Sequence, residues 1–274
     1  MSLHPVYAGI DVGSSRTKVA VLDDSGVLVG HCVQPSGTDF AKAAESCLSS
    51  ALSMADATRG DIAKAISTGY GRKNASLAND VRTEIACHGA GCYHAFPFAI
   101  SIIDIGGQDN KIIKLDSDGK RLGFKMNRKC AAGTGAFLEE MSMRLHIPLE
   151  DLNQLASRAT DMLKLGSYCT VFTATEVLES IRRGRKVEDI VKGLFYSVIK
   201  RVLEMDSMTQ NVVMTGGVVA HNPYLVRMAE DMIGRKVSVA AHPQLTGAIG
   251  AALFAMRDHE EDAGSGDPQR REQG

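Results

Sequence analysis

Tryptophan is absent from this 274-residue chain, and aromatic residues make up only 5% of it. So few rings fit neither a β-sandwich nor an aromatic platform for nucleic-acid bases. An excess of charge of one sign is missing too. The formal net charge is −1, which offers no broad basic surface to a polyanion. No apolar run approaches the roughly eighteen residues of a membrane span. Met1-Ser2-Leu3-His4-Pro5 has no charged stretch followed by an apolar one, so no signal peptide is expected. Six cysteines (32, 47, 87, 92, 130, 169) do not read as a disulfide scaffold in a chain this long. The expectation is a reducing, cytoplasmic setting with thiols free, redox-active or metal-bound, and with no nucleic-acid or membrane partner.

Glycine, by contrast, is abundant at 27 residues, and 44% hydrophobic content supplies a sizeable core. That balance fits an α/β protein with many strand-to-helix glycine turns. Val6-Tyr7-Ala8-Gly9-Ile10-Asp11-Val12-Gly13 reads as a buried strand ending in Asp-x-Gly. Ser14-Ser15-Arg16-Thr17 is a tight polar turn, Lys18 to Leu22 a second strand, Asp23-Asp24-Ser25-Gly26 a hairpin turn and Val27 to Val33 a third strand. Taken alone this is a weak signal, because many hairpins have such turns. The pattern returns, however. Ala99 to Asp104 is a strand running into Asp-x-Gly and the polar turn Gly106-Gly107-Gln108-Asp109. Lys111 to Leu115 is the second strand, Asp116-Ser117-Asp118-Gly119 the hairpin turn and Arg121 to Asn127 the third strand. A helix follows each third strand. An order repeated about ninety residues apart points to an internal duplication.

Between and after the repeats, apolar spacing predicts further elements. Phe40 to Ala57 is a helix with Cys47 on its apolar stripe, and Ile62 to Gly69 is a strand. Glu84 to Cys92 is a small-residue helix. Its Cys87, His88 and Cys92 match close helix packing better than any common zinc spacing. Pro148 and Leu149 open a helix to Ala159, and Val187 to Asp206 is a long amphipathic helix. Asn211 to Gly217 is a buried strand ending in Gly-Gly, Lys236 to Ala240 is the last strand, and a small-residue helix follows Pro243. The expected organisation is a first half over 1–98, joined by a C-terminal helix over 247–257, and a second half over 99–246. Residues 258–274 are charged and nearly free of apolar side chains, and read as a disordered tail.

The stretch Asn127-Arg128-Lys129-Cys130-Ala131-Ala132-Gly133-Thr134-Gly135 places a lone cysteine where a loop becomes a helix. A helix N-terminus favours a thiolate and is a natural seat for phosphate. A metal-bound sulfur, a nucleotide contact and a buried filler thiol all remain open there. Cys169 lies in Cys169-Thr170-Val171-Phe172-Thr173-Ala174-Thr175-Glu176-Val177, a short apolar strand or loop entering a helix through Arg182.

Two Asp-x-Gly hairpins and a later Gly-Gly strand can close on one nucleotide, each hairpin clamping phosphate. Asp11 and Asp104 can orient water bound to Mg²⁺, an ion that keeps several of its waters. The pattern resembles the actin, sugar-kinase and heat-shock ATPase fold: α/β, with two duplicated βββαβα-type halves. The run from Lys129 to Gly135 with Phe137-Leu138, the Cys169 segment, Gly9 to Ser14, Thr68-Gly69-Tyr70-Gly71-Arg72, Ile103 to Asp109, Val212 to Val218 and Gly247 to Leu253 resemble one branch of it. This branch is the BadF/BadG/BcrA/BcrD ATPase family of 2-hydroxyacyl-CoA dehydratase activators, which includes components of benzoyl-CoA reductases.

The resemblance implies an ATP-hydrolysing homodimer with one 4Fe–4S cluster between subunits, held by Cys130 and Cys169 of each. It implies one-electron transfer to a partner iron–sulfur dehydratase or reductase acting on an acyl-CoA, from a donor such as ferredoxin or flavodoxin. It places ATP or ADP and Mg²⁺ at Gly13, Ser14, Ser15 and Lys18, at Gly106, Gly107, Gln108 and Asp109, and at Gly133, Gly216, Gly217 and Gln244. Gln108 is implied to orient the attacking water. The alternatives are a small-molecule kinase of the same fold, which leaves Cys130 and Cys169 unexplained, and a non-enzymatic nucleotide sensor.

Overall fold

A computed structural model describes residues 5–166 and 169–265. The chain divides into two compact units, Met1–Ala95 with Leu245–Gly274, and Phe96–Gln244.

In the first unit β1 (Val6–Val12) is buried along its whole length, as a central strand covered on both faces must be. It pairs antiparallel with β2 (Arg16–Leu22) and parallel with β4 (Ile62–Thr68). With β3 (Leu28–Pro35) and β5 (Asp80–Val81) the sheet order is β3-β2-β1-β4-β5. Helix α1 (Phe40–Met54) covers β2 and β3 and buries Ala44, Cys47, Leu48 and Ala51 against them. Asp39 caps it by accepting a hydrogen bond from the Lys42 amide. Helices α2 (Glu84–Ala95) and α9 (Thr246–Ser265) pack on each other, and α9 lies along β1 and β4.

The second unit repeats this plan. Strands β6 (Ile100–Ile105), β7 (Asn110–Leu115), β8 (Arg121–Asn127), β9 (Val212–Thr215) and β10 (Ser238–Val239) run β10-β9-β6-β7-β8. Read from β8 inward, each strand has its counterpart in the first sheet. The duplication expected from the two Asp-x-Gly hairpins is therefore one of topology as well. The core of this unit lies between the sheet and helices α3 (Gly135–Leu145), α4 (Leu152–Arg158), α6 (Val187–Leu203) and α8 (Pro223–Ile233). It is filled by Phe137, Met141, Ile190, Phe195 and Leu225. Helices α5 (Thr170–Arg182) and α7 (Gly217–His221) complete it.

Three expectations need correction. Residues 258–265 are helical, continuing α9 beyond 257. Ion pairs from Asp258 to Arg82 (2.6 Å) and from Asp262 to Lys64 (2.5 Å) tie this last stretch to its own unit; residues 266–274 of the expected tail lie outside the described residues. The segment after Cys169 is helix from Thr170, with no strand, and the Ser167 and Tyr168 that begin it also lie outside. Helix α3 starts at Gly135 rather than at Cys130, because Gly133 takes φ +81° and Thr134 is extended at the N-cap.

The α2–α9 contact depends on missing side chains. A Cβ on Gly250 would stand 1.8 Å from the Cys87 carbonyl oxygen, and one on Gly91 2.1 Å from that of Thr246. Backbone cannot retreat as a flexible side chain can. Gly250→Ala is expected to cost about 3 kcal/mol in a thermal or denaturant melt. Gly123→Ala, on β8 with nothing within 4 Å, should change stability by no more than about 0.5 kcal/mol.

Candidate functional site

Each unit holds a carboxylate at the carboxyl end of its central strand, where ligands of α/β sheets bind. In the first unit this is Asp11, only 3% exposed, paired across the ladder with Lys18 on one side and Thr68 on the other. Lys18 Nζ donates to Asp11 Oδ2 at 3.1 Å. Gly69, at φ +89°, lies so close that a Cβ there would be 2.5 Å from Asp11 Oδ1. The hairpin turn Gly13-Ser14-Ser15-Arg16 is closed by the Gly13 amide donating to the Arg16 carbonyl at 3.1 Å. Ser36 buckles it from outside. Its hydroxyl donates to the Gly13 carbonyl at 2.7 Å and its amide to the Ser15 carbonyl at 3.0 Å.

The second unit places Asp104 in the same position, facing Lys111 on β7 and Thr215 on β9. The Gly106 amide donates to the Asp109 carbonyl at 2.9 Å, closing the equivalent turn, with Gln108 exposed at its tip. Gly216, at φ +101°, stands against Asp104 as Gly69 does against Asp11, at 2.7 Å from Oδ1 for a Cβ built there. One feature differs. Lys111 Nζ reaches both Asp104 (2.8 Å) and Asp109 (2.7 Å) and its side chain is 2% exposed, whereas Lys18 meets one carboxylate and is 20% exposed. The first copy carries Arg16 where the second carries Asp109, so the second lysine gains an extra anion. Lys111 and Ser36 were missed from sequence, and Gly69 was named there only within a motif, with no role at the site. The recurring seven-residue step from Asp11 to Lys18 and from Asp104 to Lys111 was the available signal.

The glycines of the second unit converge. The first two amides of α3, Gly135 and Ala136, donate to the Gly106 and Gly107 carbonyls at 2.9 and 2.7 Å. The start of α3 is therefore engaged by the hairpin turn. Gly216 and Thr215 bond the Pro243 carbonyl (2.9 and 2.6 Å). This seats Gln244 Nε2 3.1 Å from His221 Nε2 and 3.3 Å from where a Gly217 Cβ would stand. Gly133 lies against Asn110 and Arg201, with Asn110 Nδ2 donating to the Gly133 carbonyl at 2.9 Å.

The six cysteines separate by burial, with Cys32 intermediate. Cys47, Cys87 and Cys92 are buried, and none of the six is in a disulfide. Burial pushes the Cys87 thiol up to about 12. Burial also raises Cys47, with the neighbouring Cys32 adding to the effect. Cys87, His88 and Cys92 belong to the α2–α9 packing, as expected. Cys130 and Cys169 are exposed, which removes the reading of Cys130 as buried filler. Asn127 Nδ2 holds the Cys130 loop by donating to the Cys130 and Ala132 carbonyls (2.9 and 3.2 Å). The cysteine at a helix start is Cys169, the N-cap residue of α5, whose carbonyl accepts from the Thr173 amide at 2.8 Å. In cluster-free protein at pH 8, iodoacetamide should modify Cys130 and Cys169 at least roughly tenfold faster than Cys47 and Cys87, because only accessible thiolates react. Peptide mass spectrometry reads the order directly.

Among the described residues no three His, Cys, Asp or Glu side chains are grouped to hold a metal ion. A single chain offers two exposed thiols, and a cubane cluster takes four. The donor set therefore fits a cluster shared by two copies. Asp11 and Asp104 each already accept from a lysine, which suits bonds to the waters of a hydrated Mg²⁺ better than direct ligation. No helix among the described residues is long and apolar enough to cross a membrane.

Two sheets of one topology, each with an Asp–Lys pair beside a closed glycine hairpin, define the actin, sugar-kinase and heat-shock ATPase fold. The chain belongs to the BadF/BadG/BcrA/BcrD ATPase family, whose model matches residues 8–255. It is 42% identical over 250 residues to an activator of lactoyl-CoA dehydratase from Anaerotignum propionicum, covering 90% of this chain and 96% of the relative. The activator of 2-hydroxyisocaproyl-CoA dehydratase from Clostridium difficile, solved with bound ADPNP, superposes with a TM-score of 0.89 at 37% identity, covering 96% of this chain and 98% of that one. A component of the benzoyl-CoA reductase of Thauera aromatica is 29% identical over 276 residues, covering 96% of this chain and 98% of the relative.

Proposed function

We propose that this chain is an ATP-driven activator that delivers a low-potential electron to a partner acyl-CoA dehydratase. The observation that carries the proposal is the bond from α3 to the second hairpin. The Gly106 and Gly107 carbonyls accept from the amides of Gly135 and Ala136, and Asn110 holds the Gly133 carbonyl. A turn that changes shape with the nucleotide must pull on the loop that carries Cys130. Identities of 42% to a dehydratase activator and 29% to a reductase component favour a dehydratase partner.

In this reading Gly13, Ser14, Ser15 and Lys18, and Gly106, Gly107 and Asp109, bind the phosphates. Gly133, Gly216, Gly217 and Gln244 border the adenosine, and Gln108 orients the attacking water. Asp11 and Asp104 hold the waters of Mg²⁺. Cys130 and Cys169 of two copies hold a 4Fe–4S cluster, which supplies one-electron chemistry at low potential. Val171 and Phe172 are exposed in the first turn of α5 after Cys169, and Leu178 and Ile181 farther along it, and a second copy would cover such an apolar surface. The electron comes from a reduced carrier such as ferredoxin or flavodoxin, in the cytoplasm. Hydrolysis releases ADP and inorganic phosphate.

The test mixes reduced protein, ATP and an oxidised 2-hydroxyacyl-CoA dehydratase under anaerobic conditions. Dehydratase activity should appear only with ATP and reductant together, with phosphate released in step with ADP. ADP formation that requires a small-molecule acceptor, with the γ-phosphate found on it, would show a kinase instead.

A further inference from the structure

Helix α1 lies on β3 in a fixed register. A Cβ on Gly30 would stand 2.2 Å from the Ala51 carbonyl oxygen, so helix and strand meet there with no side chain between them. One step along, Cys47 Sγ is 3.3 Å from the Cys32 carbonyl oxygen and 3.6 Å from that of Thr17. One step further, Gln34 Nε2 donates to the Ala43 carbonyl at 2.6 Å. Two residues of strand and four of helix each advance about 6 Å, which keeps Gly30 on Ala51, Cys32 on Cys47 and Gln34 on Ala43. The ladder to β2 is unbroken from Gly30 to Pro35, so alternate residues of β3 share a face. Gly30 and Gln34 both address α1, and Cys32 between them does too. Its side chain packs against the apolar cluster that holds Cys47. Burial, and then the charge and thiol hydrogen bond of Cys32, keep the Cys47 thiol protonated well above the usual range. Cys47 is buried, while Cys32 is partly open to solvent.

We propose that Cys32 and Cys47 are a dithiol that a peroxide closes to a disulfide within the folded first unit. Cys32, the accessible partner, reacts first. The O–O bond of the peroxide breaks, the Cys32 sulfur takes one oxygen and becomes a sulfenic acid, and one water leaves. Cys32 is then neutral, and its thiolate charge no longer opposes ionisation of Cys47. The Cys47 sulfur forms the S–S bond as the S–O bond on Cys32 breaks, and the Cys47 proton leaves with the hydroxide as a second water. Two electrons pass from the pair of sulfurs to the peroxide. The closed form ties α1 to β3 where they already meet. It also stops Cys32 short of sulfinic and sulfonic acid, which thiols do not reverse. Neither cysteine is assigned to the nucleotide or to the cluster. The sequence placed Cys47 on an apolar stripe and gave Cys32 no role; only the register of α1 on β3 joins them.

The test treats the full chain with hydrogen peroxide, blocks remaining thiols and maps its peptides without reduction. The expected product is a Cys32–Cys47 crosslink that dithiothreitol reverses. Because a disulfide constrains the unfolded chain, the crosslinked protein should melt several degrees above the reduced form. Cys47→Ala has no second thiol at this place, and its Cys32 should reach sulfinic or sulfonic acid at least roughly tenfold more than in wild type under the same peroxide. Cys32 that pairs with another cysteine, or that over-oxidises equally in wild type and Cys47→Ala, overturns the proposal. So does a crosslink that forms only after unfolding in urea, or one that lowers the thermal midpoint, since either would mean that the two sulfurs do not meet in the native register.

Discussion

Protein purified without oxygen is expected to carry about four iron and four sulfide per pair of chains, and Cys130→Ala or Cys169→Ala to carry none. The loss should be complete in either variant. A cubane cluster with four thiolate corners keeps only two when one cysteine is removed from both copies, and two do not hold it against solvent. Iron and sulfide analysis with the visible spectrum checks this. The controls are Cys47→Ala and Cys92→Ser, both at buried positions, which should keep the full complement. Retention of iron in Cys130→Ala would sink the assignment, as would an iron-free wild type after anaerobic reconstitution. ATP binding would then stand without an electron to couple to.

Lys18→Met and Lys111→Met are expected to fail in different ways, although the two lysines occupy equivalent positions in the duplicated hairpins. Lys111 neutralises Asp104 and Asp109 where water barely reaches. Removing it takes the buried cation from Asp104 and leaves Asp109 facing the more distant Arg128 at 3.9 Å, and breaking a buried pair in this way costs about 4 kcal/mol. Lys111→Met should therefore melt far below wild type or fail to fold. Lys18 is one-fifth exposed and meets only Asp11. Lys18→Met should fold and instead bind ADP roughly tenfold more weakly, having lost a charge-assisted bond to phosphate. Calorimetry reads both quantities, thermal midpoint and Kd. A stable Lys111→Met, or a Lys18→Met that binds ADP as wild type does, contradicts the division of roles.

The duplication was legible because it rests on local rules. A buried strand, an Asp-x-Gly end, a two-residue polar turn and a second strand each leave a mark within a few positions, and the marks recur in order. The buried Cys47 was legible from its place on the stripe of α1. Helix starts were harder to place. Gly133 and Thr134 together delay α3 to Gly135, and the reward for that delay is a pair of bonds to Gly106 and Gly107, nearly thirty residues upstream. The same miscount moved the helix-start cysteine from Cys169 to Cys130. The charged end of α9 looked disordered because its apolar content is low. Its order comes from Arg82 and Lys64, whose distance in sequence hides them.

By itself the sequence determined the family, the two-fold repeat of the hairpin and the two cysteines that stand apart from the core. These follow from residue types at short, fixed spacings. Tertiary structure alone decided which lysine is locked and which remains accessible, since that depends on the carboxylates gathered around each ammonium group and on the water excluded from it. It also decided that the Cys130 loop hangs from the second hairpin. Each of these arises where backbones far apart in sequence approach within a side chain's width, and no local pattern of residues records that approach.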